Sequence, residues 1–158
     1  MVTIHTTANE LAAIVDQYAK EMNDLSDDQF SSKPDPKKWS KKEVLGHLID
    51  SANSNHRRFI CSQYEATPKI VYDQEFWVIA NNYQNSKKEN VIQLWRLVNE
   101  QICDVLRTMP DQNTRLMCDT GKDTIQLHSI AWIAEDYVKH LKHHLNQILP
   151  GSFDISYP

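Results

Sequence analysis

Glycine is nearly missing from this chain: three occur in 158 residues, at Gly46, Gly121 and Gly151. So few glycines argue against the repeated tight turns of sandwiches and against phosphate-cradling loops, and they favour long helices. Cysteine is as sparse. Cys61, Cys103 and Cys118 are odd in number and widely spaced, with no CxxC pair, which speaks against a disulfide framework or a thiolate metal site. No apolar run approaches the length of a membrane span, and the first residues lack the apolar core of a signal peptide. The chain is therefore expected to be cytoplasmic, with no membrane partner. Net charge is −4, and the lysines and arginines form only short clusters such as Lys37-Lys38 and Arg57-Arg58. Without a sustained basic stripe, nucleic acid is excluded as a partner.

What remains is an ordinary globular composition, 41% hydrophobic and 24% charged. At this length a single domain spanning residues 1–158 can bury its own core without disulfides or structural metal. Four long helical segments stand out. Three start at capping-box patterns, Thr7-Ala-Asn-Glu10, Ser40-Lys-Lys-Glu43 and Ser86-Lys-Lys-Glu89, in which a hydroxyl and a glutamate three residues on satisfy free N–H groups. The first is expected from Thr7 to Leu25, with Leu11, Ile14, Val15, Tyr18 and Met22 inward. The second is expected from Ser40 to Ala66. The third should run from Ser86 to Met109, burying Leu94, Trp95, Val98, Ile102, Val105 and Leu106. The fourth is expected from Thr124 to Leu149, with an apolar stripe of Ile130, Ile133, Ala134, Tyr137, Val138, Leu141, Leu145 and Ile148.

The stretch from Thr67 to Asn85, with a short helix around Trp77-Val-Ile79, is too long for a tight helix hairpin, which takes about 2–8 residues. It suits a crossover along the bundle, so that helices two and three run parallel. The expected fold is all-α: a four-helix bundle of up-down-down-up topology.

Histidine carries the functional signal. Three of the seven histidines fall within five residues, in Tyr137-Val-Lys-His140-Leu-Lys-His143-His144. His140 and His144 are one turn apart and can share a metal ion. At about 100° per residue, His144 lies roughly 55° from the centre of the apolar stripe, His140 roughly 95°, and His143 about 155°. The first two flank the core; His143 should face solvent. A third ligand has to come from elsewhere, and helix two offers His47 and His56. The helical wheel does not choose between them, for His47 lies well off the Val44, Leu45, Leu48, Ala52 face and His56 is nearer to it. With His47 as partner, only antiparallel packing of helices two and four brings the ligands level. His5 and His128 read as solvated or cap-adjacent.

The segment Trp39-Ser-Lys-Lys-Glu-Val-Leu-Gly-His47-Leu-Ile-Asp50-Ser51-Ala-Asn-Ser-Asn55-His-Arg-Arg58-Phe59 resembles the signature helix of the DinB/YfiT-like superfamily. So do Leu25-Ser-Asp-Asp-Gln-Phe30, Tyr72-Asp73-Gln-Glu-Phe-Trp77 and the terminal His140-x-x-x-His144 with Gln147. The resemblance spans nearly the whole chain, in order, and is strongest to the YfiT branch of metal-dependent hydrolases and bacillithiol transferases. It implies an up-down-down-up bundle and a site of His47, His140 and His144 that binds divalent zinc or nickel. It also implies a homodimer and a small-molecule substrate, a low-molecular-weight thiol being the first expectation.

Three neutral histidines leave a coordination position open, where a thiol or a water is acidified. The first outcome is thiol transfer to an electrophile, the use known among relatives. The alternatives are hydrolysis of a small ester or amide, and a non-catalytic metal-binding dimeric bundle. Asp50, one turn after His47, is the candidate catalytic carboxylate, either orienting a ligand or taking a proton. Asp136, one turn before His140, reads as a solvated carboxylate.

Overall fold

The structure, a computed structural model, describes residues 2–158. Four long helices carry it: α1 (Ile4–Asn23), α3 (Lys41–Cys61), α5 (Lys88–Thr108) and α6 (Ile130–Ile148). Two short ones, α2 (Asp27–Ser31) and α4 (Gln74–Ala80), lie in the connections, and a two-stranded antiparallel hairpin, β1 (Met117–Asp119) with β2 (Leu127–Ser129), precedes α6.

Side-chain bonds between helix ends give the direction of each helix. Lys42 donates to the Ser86 carbonyl at 2.7 Å, joining the start of α3 to the approach to α5. At the far end Asn113 donates to Gln63 at 2.9 Å. These two helices are therefore parallel, as the long crossover requires. Lys88 at the start of α5 donates to Leu25 O beyond the end of α1, and Arg107 near its end reaches Asn9, so α1 and α5 are antiparallel. Glu10 pairs with Lys142, and Tyr18 packs on Phe153 with ring centroids 5.0 Å apart; α1 and α6 run together. The bundle is up-down-down-up.

The apolar stripes close on one core. All eight stripe residues of α6 are buried, as are the five inward residues of α1. Trp95, Ile102 and Leu106 of α5 meet Leu45, Leu48 and Ile49 of α3, all fully buried. Each such side chain contributes about 1.5–3 kcal/mol relative to exposure. Leu94, expected inward, is half exposed at 50%, because Trp95 beside it takes the core position.

Helix boundaries differ from the sequence expectation where the backbone groups at a helix end pair otherwise than the local pattern suggests. α1 begins at Ile4 because Thr3 and Thr6 form the capping box, while Thr7 Oγ1 donates back to the Thr3 carbonyl at 3.1 Å and Glu10 pairs with Lys142. The Ser40–Glu43 box forms as expected. The Ser86–Glu89 box does not: the cap residue is Lys87, which makes no side-chain bond, and Ser86 ends a 3-10 turn at Tyr83–Asn85. α3 stops at Cys61 rather than Ala66, as Gln63 and Tyr64 turn their N–H groups to carbonyls three residues back. α6 starts at Ile130, six residues after Thr124, with Ser129 as its cap. The hairpin that displaces it is organised by Asp119, whose Oδ1 accepts from Gly121 N and Gln126 N, both at 2.9 Å.

Candidate metal centre

His47 stands in the second turn of α3, and His140 and His144 in the last turns of α6, which runs antiparallel to it. The direction set by the crossover brings all three level. One ring nitrogen from each lies within 4.8 Å of the others. His47 Nε2 and His140 Nε2 are 3.2 Å apart, and the His144 ring packs edge-on against both, with centroid separations of 4.7 and 4.5 Å.

His47 is 1% exposed, although the wheel put it off the core face. The reason is that α3 has no single core face: α5, α6 and α4 with Tyr83 pack around it, and even Lys42, Ser51 and Asn55 are buried. His56 is half-buried and stays outside the cluster. His143 departs from expectation as well. It is half-buried, because the chain beyond α6 folds back and sets the Tyr157 ring against it and against His140, with centroids 5.7 Å away in each case.

Burial governs the charge of the cluster. It lowers the pKa of His47 to about 4, assisted by the neighbouring His144, and that of His140 to about 2, assisted by His144 and His47. Burial lowers His144 too, with Gln147 opposing. All three imidazoles are therefore neutral at pH 7, the form in which a ring nitrogen can donate a lone pair to a metal. His144 Nδ1 lies 2.9 Å from Gln147 Oε1. An Nδ1–H there donates to the amide oxygen and leaves Nε2 free as a ligand. His47 is held by Trp39, whose ring lies 5.0 Å from it, while the Nδ1 atoms of His47 and His140 are buried without partners. No carboxylate enters the donor set.

A model of the DinB superfamily matches residues 10–148. The chain belongs to the DinB superfamily. It is 27% identical over 113 residues to "Putative metal-dependent hydrolase YfiT" of Bacillus subtilis (strain 168), across 70% of this chain and 62% of that relative, so it spans less than two thirds of the relative's length. The solved structure of YfiT from Bacillus subtilis, described as having an unusual four-helix bundle topology, is similar with a TM-score of 0.77 at 25% identity, covering 92% of this chain and 82% of that one.

Within this DinB bundle Asp50 makes no hydrogen bond to the histidines among the described residues. Its Oδ1 accepts from Tyr83 Oη at 2.7 Å and from Asn81 Nδ2 at 2.9 Å, and its Oδ2 is buried without a partner. Burial raises its pKa to about 6, against the pull of those two hydrogen bonds. Asp136 is half-buried and accepts from Tyr157 Oη at 3.1 Å, so it is not the solvated residue expected.

One cavity opens on the cluster, and a second lies beside residues that hold it. The first, of about 260 Å³, is lined by His140 together with Arg58, Tyr72, His128, Trp132 and Asp136. The other, of about 490 Å³, lies by Trp39 and Gln147 and is edged by Lys37, Lys38 and Lys41. His128, read as solvated or cap-adjacent, directly precedes the Ser129 cap of α6 and is stacked on Trp132 at 3.7 Å between centroids. Sequence reasoning named none of Arg58, His128, Trp132 and Tyr157 as site residues. A signal was available for Arg58: His47, Ser51, Asn55 and Arg58 are spaced four, four and three apart and form a polar row along one side of a helix.

Proposed function

We propose that this chain is a metal-dependent enzyme in which His47, His140 and His144 hold one divalent zinc or nickel ion and which transfers a low-molecular-weight thiol to a small electrophile. The donor set fits such an ion: three neutral, converging imidazoles, one already oriented by Gln147, leave room for a further ligand. When bound, the ion supplies a Lewis acid that lowers the pKa of a thiol or water beside it.

The observation that carries the preference for thiol chemistry is the all-histidine composition of the cluster. Hydrolysis is helped by a base held beside the attacking water, and among the described residues no carboxylate hydrogen-bonds to any of the three histidines, so the proton of a water there would have to leave through solvent. A thiol needs less help, since its proton is lost more readily than that of water. Asp136, which lines the cavity beside His140, is the carboxylate placed to receive that proton through solvent; Asp50, fully buried in α3 with a pKa of about 6, acts only through its partners Tyr83 and Asn81. Trp39 and Gln147 keep two of the imidazoles in place, and the cavity beside His140 has room for a small substrate.

A second reading, hydrolysis of a small ester or amide, is favoured by the name of the YfiT relative. One experiment separates them. Metal-loaded protein is given a chromogenic electrophile with cysteine as thiol, and in parallel an activated ester without thiol, each against a chelated control and His47→Ala. Metal-dependent conjugation alone supports the proposal; metal-dependent ester turnover alone replaces it. Turnover in neither leaves the ion a binding or structural role, which a large loss of stability on chelation would identify as structural.

A homodimer is part of the proposal. Phe76, Trp77 and Ile79 of α4 are 65%, 38% and 73% exposed, a patch that a second copy would cover, whereas Trp95 is committed to the core. Sedimentation showing only the 18.4 kDa species at micromolar concentration would remove the dimer.

A further inference from the structure

The polar row of α3 that begins at His47 ends at Arg58, and Ser51, Asn55 and Arg58 all line the cavity of about 260 Å³ beside His140. Arg58 is half-buried. Its Nε and Nη2 donate to the Ile70 carbonyl at 3.2 and 2.8 Å, and its Nη1 donates to Asn55 Oδ1 at 3.2 Å. Those acceptors are uncharged, and among the described residues Arg58 takes part in no ion pair. A guanidinium has five N–H donors, so two are left over.

The arginine is also braced. Ile70, whose carbonyl holds it, is tied to the hairpin by its own N–H to Asp119 O at 3.0 Å. The guanidinium is thus fixed from behind, desolvated in part, and without a contact ion pair in a cavity that it shares with a proposed metal ligand, the Asp136 carboxylate of the same cavity attracting it only at longer range. Asp136, on the α6 wall, accepts its hydrogen bond from Tyr157 and not from the arginine.

We propose that this cavity is an anion subsite in which Arg58 receives a carboxylate of the small-molecule substrate, so that the preferred ligand carries a carboxylate a few bonds from its reactive group. The assignment rests on the reading of the histidine cluster as a metal-dependent centre. Two free N–H groups match the two oxygens of one carboxylate. The nearby Asp136 carboxylate opposes a doubly charged phosphate more than a singly charged carboxylate.

The test is binding, not turnover. Zinc-loaded full-length protein is titrated calorimetrically with mercaptopropionate, with mercaptoethanol, which lacks the charge, and with cysteamine, which reverses it. Mercaptopropionate should bind about tenfold more tightly than mercaptoethanol, Arg58→Gln should reduce that ratio to near unity, and Arg58→Lys should keep part of it. Equal affinities in the wild type, or a preference for cysteamine, overturn the subsite and leave the metal centre standing. If no thiol binds, the metal reading fails, and propionate against propionamide on metal-free protein then decides the subsite: preference for propionate upholds it and no preference overturns it. The comparison of ligands on the wild type holds even where Arg58→Gln does not fold.

Discussion

His47 Nε2 and His140 Nε2 stand 3.2 Å apart across a sequence separation of 93 residues. Two buried imidazoles with nitrogens this close cannot both present an N–H to the other, and neither can carry a charge cheaply. A divalent ion between them and His144 would resolve both problems.

The first prediction follows from that geometry. His47→Ala, His140→Ala and His144→Ala should each weaken zinc binding by well over tenfold, since loss of a partner merely behind a ligand already costs about 10–100-fold. His56→Ala and His143→Ala should retain a full equivalent. Metal analysis after dialysis reads the result; full occupancy in any of the first three removes that residue from the site.

Gln147 supports His144 through its amide oxygen. Gln147→Ala should retain the metal stoichiometry but raise the zinc dissociation constant about tenfold, and Gln147→Glu should restore tight binding. Competition with a chromophoric chelator measures both. An unchanged constant in the alanine variant would mean that the bond at Nδ1 does not orient the ring.

The depressed histidine pKa values predict an acid-labile metal-free fold. A histidine at about 4 when folded and near 6.5 unfolded binds its proton first in the unfolded chain. Its stabilising share is complete above pH 6.5 and is lost as pH falls toward 4, at no more than ~1.4 kcal/mol per pH unit for each proton. Denaturation of metal-free protein between pH 7 and 4.5 should show this decline, and His140→Gln should make it shallower.

Asp50 should act with the opposite sign. Its folded pKa of about 6 lies above the ordinary 3.8, so the folded state takes up the proton first. Relative to Asp50→Asn, the wild type should therefore gain stability as pH falls from about 6 toward 4. Paired denaturation curves cancel the shared histidine contribution. A pH-independent difference would show that the carboxyl is ordinary.

Gly46 fixes the ring that bonds Asp50. A Cβ at this position would lie 2.1 Å from Tyr83 Cδ2, so Gly46→Ala has to push the ring aside. We expect a loss of about 1–3 kcal/mol from overpacking, read from the denaturation midpoint. Tyr83→Phe should instead keep the packing and remove only the hydrogen bond to Asp50.

Much of this protein could be read from its residues. Scarce glycine, helical periodicity in Leu11–Met22 and Ile130–Ile148, and the length of the Thr67–Asn85 connection specify the bundle and its parallel central pair, because these depend on local propensity and chain reach. The i, i+4 spacing of His140 and His144 depends on the same regularity. Other features needed the tertiary structure. Capping patterns at Thr7 and Ser86 satisfy a local rule, yet Thr3 opens α1 a turn earlier, and the Ser86 N–H is already bonded to the Tyr83 carbonyl. The β1–β2 hairpin arises where Asp119 finds two N–H partners across a turn. His47 is buried because three neighbours enclose α3, which a wheel drawn for one helix does not contain. Arg58 and Trp132 line one cavity only once α3, α6 and the hairpin are packed, and His143 is half-covered only because the end of the chain folds back. Periodicity states which way a side chain points; what it meets there is decided by segments distant in sequence.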